Sequence, residues 1–433
     1  MDGAGMTGEV LIERDAATAD QRTTTTWRRS SQHIRGGYFW YYAAIGALTP
    51  FTALYFRSLG FGGLQIGILT ALPSLGVALF GPLWGAVSDS LAIHRPVLRI
   101  ALVLATLLAF AASRVSEFAA LFPLMALLAF AAVPVGPLLD SYGVTTSERL
   151  GQSYGRLRVW GSLGFMVTVL VVGRLMGDRV SSVVLVAYGV CLALTFLFVA
   201  GIPPLAERHP RSLFGGLRDI ARNRPLMLLL LVAYLLSSGG AIMYIFLGIR
   251  MQEIGGSANL VGVAFALSAV SELPVVAFGG WLLNRLGAIR LIAVALCVYI
   301  VRFTAFSTIS EPEWMLPVQL LHGLSFGAFL MASVPLAHRL AGSEHAATAQ
   351  SLLTAMSFGF GSITGSIVGG AFLDRIGTVG LFRGATLLMV AALVVLIAGD
   401  RIVGLDRREQ PGGEVAMTPA GEDRLAEHPP AGR

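Results

Sequence analysis

The sequence predicts an all-α membrane protein of twelve transmembrane helices, arranged as two six-helix halves that each contain two inverted three-helix units. Three observations carry that prediction. Only 13% of the 433 residues are charged and 55% are hydrophobic, with a mean hydropathy of +0.73, whereas soluble domains carry about 25% charged residues. Apolar runs of the roughly 20 residues that cross a bilayer recur twelve times. Several of these runs also end in the same short motif, at corresponding places in the two halves of the chain.

The N-terminal tail, 1–35, is polar and holds a TTTT run, with Arg28, Arg29 and Arg35 just before the first apolar stretch. That stretch is too long for the short apolar core of a cleaved signal, so the arginines are expected to anchor a first span on the cytoplasmic side. The spans of the N-terminal half (36–201) are expected at 37–57, 63–87, 97–115, 119–141, 154–176 and 180–201. A polar stretch at 202–225 reads as a central cytoplasmic loop whose LFGGLRDI core suits an interfacial helix. The C-terminal half (226–399) supplies spans at 226–249, 258–283, 288–309, 314–338, 348–372 and 378–399. The tail from 400 to 433 is rich in Pro, Gly and charge and is expected to be disordered.

Span 2 ends Gly85-AVS-Asp89 and span 8 ends Gly280-WLL-Asn284; span 11 ends Gly370-AFL-Asp374, and span 5 more loosely at Gly173-RLMG-Asp178. Spans 2 and 8 end on one side of the membrane and spans 5 and 11 on the other. Such inverted repeats are the sequence signature of secondary transporters. A glycine and a capping acid at a helix end explain each motif alone, but not the placement of all of them. Arginines such as Arg95, Arg99, Arg149, Arg156, Arg218, Arg222, Arg285, Arg290 and Arg339 crowd one face, so both termini are expected in the cytoplasm of a cell-membrane protein. The formal net charge of +6 is explained by this flanking, and no nucleic-acid partner is expected.

Ionisable groups inside a membrane are costly and point to function. Asp140 and Glu272 are the acids placed within spans, and Arg158, Arg302 and His322 the bases. Pairing is expected between Asp140 and Arg158 of spans 4 and 5, and among Glu272, Arg302 and His322 of spans 8, 9 and 10, with structural salt bridges as the plain alternative. Gly155, Arg158, Ser162 and Phe165 share a face of span 5 by helical spacing, as do Gln319, His322, Phe326 and Phe329 on span 10. Tyr38, Tyr42, Gly46 and Pro50 share span 1, where Gly and Pro permit a bend. Cys191 and Cys297 lie far apart in apolar runs and read as packing residues, and no cofactor, metal cluster or enzymatic motif is seen.

The segment YGRLRVWGSLGF (154–165) resembles the fifth-span signature of the oligosaccharide–proton symporters and the related phenylpropionate and nucleoside permeases of the major facilitator superfamily, and its Trp160-Gly161-Ser162 form is most similar to the phenylpropionate-permease-like branch. GALTPF from Gly46, SEL around Glu272, VRF around Arg302 and LHG around His322 extend the resemblance. It implies that Arg158 holds substrate with Asp140 as its partnering acid, that Phe165 stands for a stacking tryptophan, and that the carrier is monomeric. The chain departs from the pattern at Ser325, where the sugar symporters place their coupling glutamate, and at Gln319, where they place a lysine.

The expected function is therefore proton symport of a small polar organic solute by alternating access. Asp140, Arg158, Ser162, Phe165, Gln319 and His322 would bind solute, and Glu272, Arg302 and His322 would couple protons. Gly85, Asp89, Gly280 and Asn284 would act as a conformational latch. An exporting antiporter and a non-transporting membrane sensor are the alternatives.

Overall fold

The computed structural model of the chain describes residues 30–90, 93–177, 180–202 and 222–403. Residues 1–29 and 404–433 of the expected tails, the LFGGLRDI segment, Asp178 and the side chains of Gly85 and Asp89 fall outside this description, while 30–35 and 400–403, expected in the tails, are helical. Among the described residues all regular structure is helical. With no water in a bilayer core, a helix satisfies its backbone internally, which is why a chain this apolar folds this way. Eight helical stretches among the described residues are long and apolar enough to cross a membrane.

The first helix, α1 (residues 30–48), stops just before Pro50, and the chain turns and resumes as α2 (Thr52–Ser58). Proline lacks the N–H that would continue the ladder, so the bend expected at Pro50 is a full break. Next come α3 (Gly63–Ser90), α4 (His94–Ala112), α5 (Phe118–Ala132) and α6 (Val135–Leu150). The apolar run of α5 continues into α6 across Val133 and Pro134, so Asp140 lies in the interior of a long helical segment and not at its end as expected. After α7 (Tyr154–Met176) and α8 (Val183–Val199) the description resumes with α9 (Arg224–Glu253), α10 (Ala258–Leu286) and α11 (Ala288–Thr308). A 3-10 turn (Pro312–Trp314), α12 (Met315–Gln319), a π turn (Gly323–Gly327), α13 (Ala328–Thr354), a second π turn (Ala355–Gly361) and α14 (Ser362–Val403) complete the described residues. That last stretch bends at Gly342 (φ 73°) and Gly377 (φ 65°), left-handed backbone that favours glycine.

Guanidinium groups cap two helix ends, where carbonyls lack partners and the dipole favours cations. Arg95 donates to the Ala200 carbonyl beyond α8 at 3.0 Å, and Arg99 donates to the same oxygen. Arg250, in the last turn of α9, is buried and donates to the Phe306 carbonyl at 3.2 Å and the Ile309 carbonyl at 2.8 Å at the end of α11.

Close contacts between early and late helices gather at one end of the molecule, where α3 and α10 begin and α7 and α9 finish. A Cβ on Gly67 would lie 2.5 Å from the Ser366 carbonyl oxygen and 3.0 Å from the Gly370 Cα, so α3 and α14 touch backbone to backbone. A Cβ on Gly262 of α10 would lie 2.6 Å from the Val169 carbonyl oxygen of α7, and one on Gly173 would lie 2.9 Å from that of Ala258. Ser74 and Ser362 hydroxyls meet at 3.0 Å. Toward the opposite end, Gly81 and Gly280 each face open space, and Asn284 is exposed.

Candidate functional site

The first cluster is built by α1 lying in glycine notches of α6 and α7. A Cβ on Gly136 would lie 2.8 Å from the Tyr41 hydroxyl, one on Gly143 2.5 Å from that of Tyr38, and one on Gly161 2.6 Å from the Tyr42 ring. Small residues let membrane helices approach, and here the vacated space is filled by tyrosines. Asp140 sits between Gly136 and Gly143, so Tyr38 reaches it. Its Oδ1 accepts from Tyr38 at 2.8 Å and from Tyr154 at 2.9 Å, and the two hydroxyls are 3.3 Å apart.

Arg158 does not pair with Asp140, contrary to expectation. Its guanidinium lies 3.8 Å above the Tyr42 ring and 6.0 Å from the Tyr38 ring centre. A guanidinium stacks readily on an aromatic face, and the tyrosine hydroxyls satisfy the acid. Half-buried Arg158 is left with its forked donors unused among the described residues, and Asp140 with its second oxygen unused. Phe165 faces α1, with a Cβ on Gly46 3.3 Å from its ring. Ser162 is half-buried beside it and Gly155 is exposed.

The second cluster forms where α10 meets the first π turn. Gly323 packs its backbone on Ser271 and donates its N–H to the Ser271 hydroxyl at 2.9 Å. That contact sets the chain neighbours Glu272 and His322 side by side, with His322 Nε2 3.0 Å from Glu272 Oε1. The imidazole stacks on Phe326, with centroids 5.5 Å apart and planes inclined by 14°. His322 Nδ1 is buried without a partner.

Arg302 joins this cluster differently than expected. It is fully buried and makes no ion pair with Glu272; it donates to the Ser325 hydroxyl at 2.7 Å and the Gln319 carbonyl oxygen at 2.6 Å. The rings of Tyr299 and Phe306 lie 5.6 Å and 5.7 Å from it. Neutral oxygens and aromatic faces hold this cation where a carboxylate was expected. Gln319 is fully buried against Arg302, so its carbonyl oxygen faces that cation. Phe329 is buried in packing. Among the described residues no group of three or more His, Cys, Asp or Glu is arranged to hold a metal ion. Cys191 is buried and Cys297 exposed, and both are free thiols.

A third arrangement was not expected as a site. Asp374, beyond the apolar run 348–372, accepts from Arg57 at 2.9 Å and from the Gly63 N–H at 2.5 Å, across the α3–α14 contact. The Gly63 N–H, with Arg57 beside it, holds the Asp374 carboxyl below the ordinary carboxylate range. The repeat motif at Gly370 to Asp374 was its sequence signal. Tyr154, the first residue of the family-like segment, was the signal for the second donor to Asp140.

Comparison with known proteins agrees with this architecture. The MFS_1 like family model matches residues 32–384. The chain is 30% identical over 380 residues to a maltose permease of Geobacillus stearothermophilus, covering 86% of this chain and 95% of that one. It is 27% identical over 378 residues to a probable 3-phenylpropionic acid transporter of Escherichia coli (strain K12), covering 86% and 96%. The crystal structure of the nucleoside transporter NupG superposes with a TM-score of 0.77 at 20% identity, over 86% of this chain and 98% of that one. The chain therefore belongs to the MFS_1-like family, a multi-pass membrane transporter of the major facilitator fold.

Proposed function

We propose that this protein is a secondary active transporter, not an enzyme, that moves a small polar organic solute by alternating access with proton symport. The relatives' names, maltose permease, 3-phenylpropionic acid transporter and nucleoside transporter, support a sugar, an aromatic carboxylate or a nucleoside as the solute class. The observation that carries the reading is Arg158: a half-buried guanidinium within a membrane-crossing helix, stacked on Tyr42, with no acceptor among the described residues for its forked donors. A cation kept at that depth without a structural partner is available to a solute.

In this reading the breaks at Gly342 and Gly377 divide the last helical stretch into three crossings, for twelve in all, as halves 36–201 and 226–399. The arginine distribution supports cytoplasmic termini in a cell membrane, and the family resemblance implies a monomeric carrier. The end where Gly63 meets Gly370 is then external, and the state described is closed outside and open toward the cytoplasm. The Gly85/Asp89 and Gly280/Asn284 motifs would latch the opposite state.

Arg158 and the free Asp140 oxygen would bind solute, with Ser162 and Phe165 on the same face and His322 reaching from the other half. Glu272 would carry the proton, held by His322 in one state and released when that contact opens; Arg302 would act through its field. Arg158→Lys keeps the charge and loses the fork. It is expected to lower solute affinity at least tenfold in equilibrium binding to purified protein. Unchanged affinity would make Arg158 a structural residue.

A further inference from the structure

A small cavity on the late helices lies beyond Phe326 from the second cluster. It measures about 20 Å³ and lies between α9, α13 and the second π turn, walled by Ser237, Ser333, Gln350, Ser357, Phe326 and Phe358 among others. Three of its polar atoms, Ser333 Oγ, Gln350 Oε1 and Ser357 Oγ, are buried without a hydrogen-bond partner. Orphaned buried polar atoms are uncommon and call for an explanation. Three converging on one cavity point to a group that belongs there. The volume suits one hydroxyl or one water.

The lining carries no ionisable side chain, so nothing in it attracts a carboxylate. A cation is disfavoured too, because Arg302 is already buried in neighbouring helices without a carboxylate against it. What fits is a neutral O–H group, which donates to Gln350 Oε1 and accepts from the two serine hydroxyls. The cavity also adjoins the second cluster: Phe326 stacks on His322, and Phe358 meets Phe326 edge-on with centroids 6.3 Å apart.

We propose that this cavity is a hydroxyl subsite, filled by a hydroxyl of the bound solute, so that the cargo is a neutral hydroxyl-bearing molecule such as a sugar or nucleoside and not an aromatic carboxylate. This rests on the transporter reading above and narrows it. At the first cluster an acid and a cation, each with unused capacity, suit a group that donates to one and accepts from the other. A carboxylate attracted to Arg158 would be repelled by Asp140.

The test is calorimetric binding of maltose, adenosine and 3-phenylpropionate to the purified full-length chain, for the wild type, Ser333→Ala, Ser357→Ala and Arg158→Lys. The proposal expects maltose or adenosine to bind the wild type, and each serine variant to weaken that binding at least fivefold while leaving the melting temperature of the solute-free protein unchanged. Binding of 3-phenylpropionate in preference to both neutral probes, or of none of the three, overturns it. Serine variants that shift the melting temperature and leave affinity intact also overturn it, since the cavity then holds only a structural water. Loss of binding in Arg158→Lys with intact binding in both serine variants removes this subsite and leaves the binding role of Arg158 standing; intact binding in all three variants removes both this subsite and that role.

Discussion

Arg302 shows how a single side chain departs from what its sequence neighbours suggest. Its burial and its place among Glu272 and His322 favoured a carboxylate partner, but the nearest acceptors are Ser325 and Gln319, each at hydrogen-bond distance. A buried guanidinium that loses an acceptor keeps its desolvation cost, and hydrogen bonds to charged groups contribute about 1.5–3 kcal/mol. Gln319→Leu is therefore expected to destabilise the protein by about that amount, read as a lower melting temperature of the detergent-solubilised protein. An unchanged melting temperature would show that Arg302 finds another acceptor at no cost. The spacing of Asp140 and Arg158 was legible in the sequence. That they stay apart was not, because it depends on Tyr38 of α1 and Tyr154 of α7 reaching the acid first. A pattern along one helix carries no information about which side chain of another helix arrives.

Among the helices, glycine placement decides which pairs touch. The motifs ending at Asp374 and beginning at Gly173 were visible as repeats, and their glycines make the backbone contacts between α3 and α14 and between α7 and α10. At Gly280, where a latch was expected, an added Cβ would meet open space, so the motif makes no close helix contact there. A Cβ on Gly370 would meet the Gly63 carbonyl oxygen and stand 2.7 Å from the Gly67 Cα, atoms that cannot swing aside. Gly370→Val is expected to drive these helices apart, lengthening the distance between spin labels at Leu64 and Ile376; an unchanged distance contradicts the close-contact account. Asp374 adds pH dependence to the same contact. Its carboxyl is held below the ordinary range by the Gly63 N–H and Arg57, so its contribution is complete above the ordinary carboxylate range and is lost as pH falls through its lowered value. Arg57 and Asp374 side chains are 44% and 48% exposed, so their ion pair is worth about 0.2–1 kcal/mol. Asp374→Asn should abolish acid-induced lengthening of the same label distance; acid-induced lengthening that persists in the variant assigns it to another group.

For the molecule as a whole, the all-helical membrane fold was legible because hydropathy is written along one chain, and the helix bounds follow the apolar runs closely, as at Tyr154–Met176. The breaks at Gly342 and Gly377 also fall where the polar joints between runs were read. The candidate site was legible in its membership more than in its bonding. Glu272 and His322 were expected together and meet at 3.0 Å, while the Gly323–Ser271 approach that aligns them has no linear signature. Proposed energy coupling rests on that pair, since the Ser325 hydroxyl does not ionise at neutral pH. The most direct test is uptake into proteoliposomes with an imposed inside-alkaline gradient, using maltose, adenosine and 3-phenylpropionate as cargo and comparing the wild type with Glu272→Gln. The wild type is expected to accumulate cargo against its gradient, and Glu272→Gln to lose that accumulation while retaining exchange of labelled for unlabelled cargo. Undiminished uphill accumulation by Glu272→Gln would contradict the account.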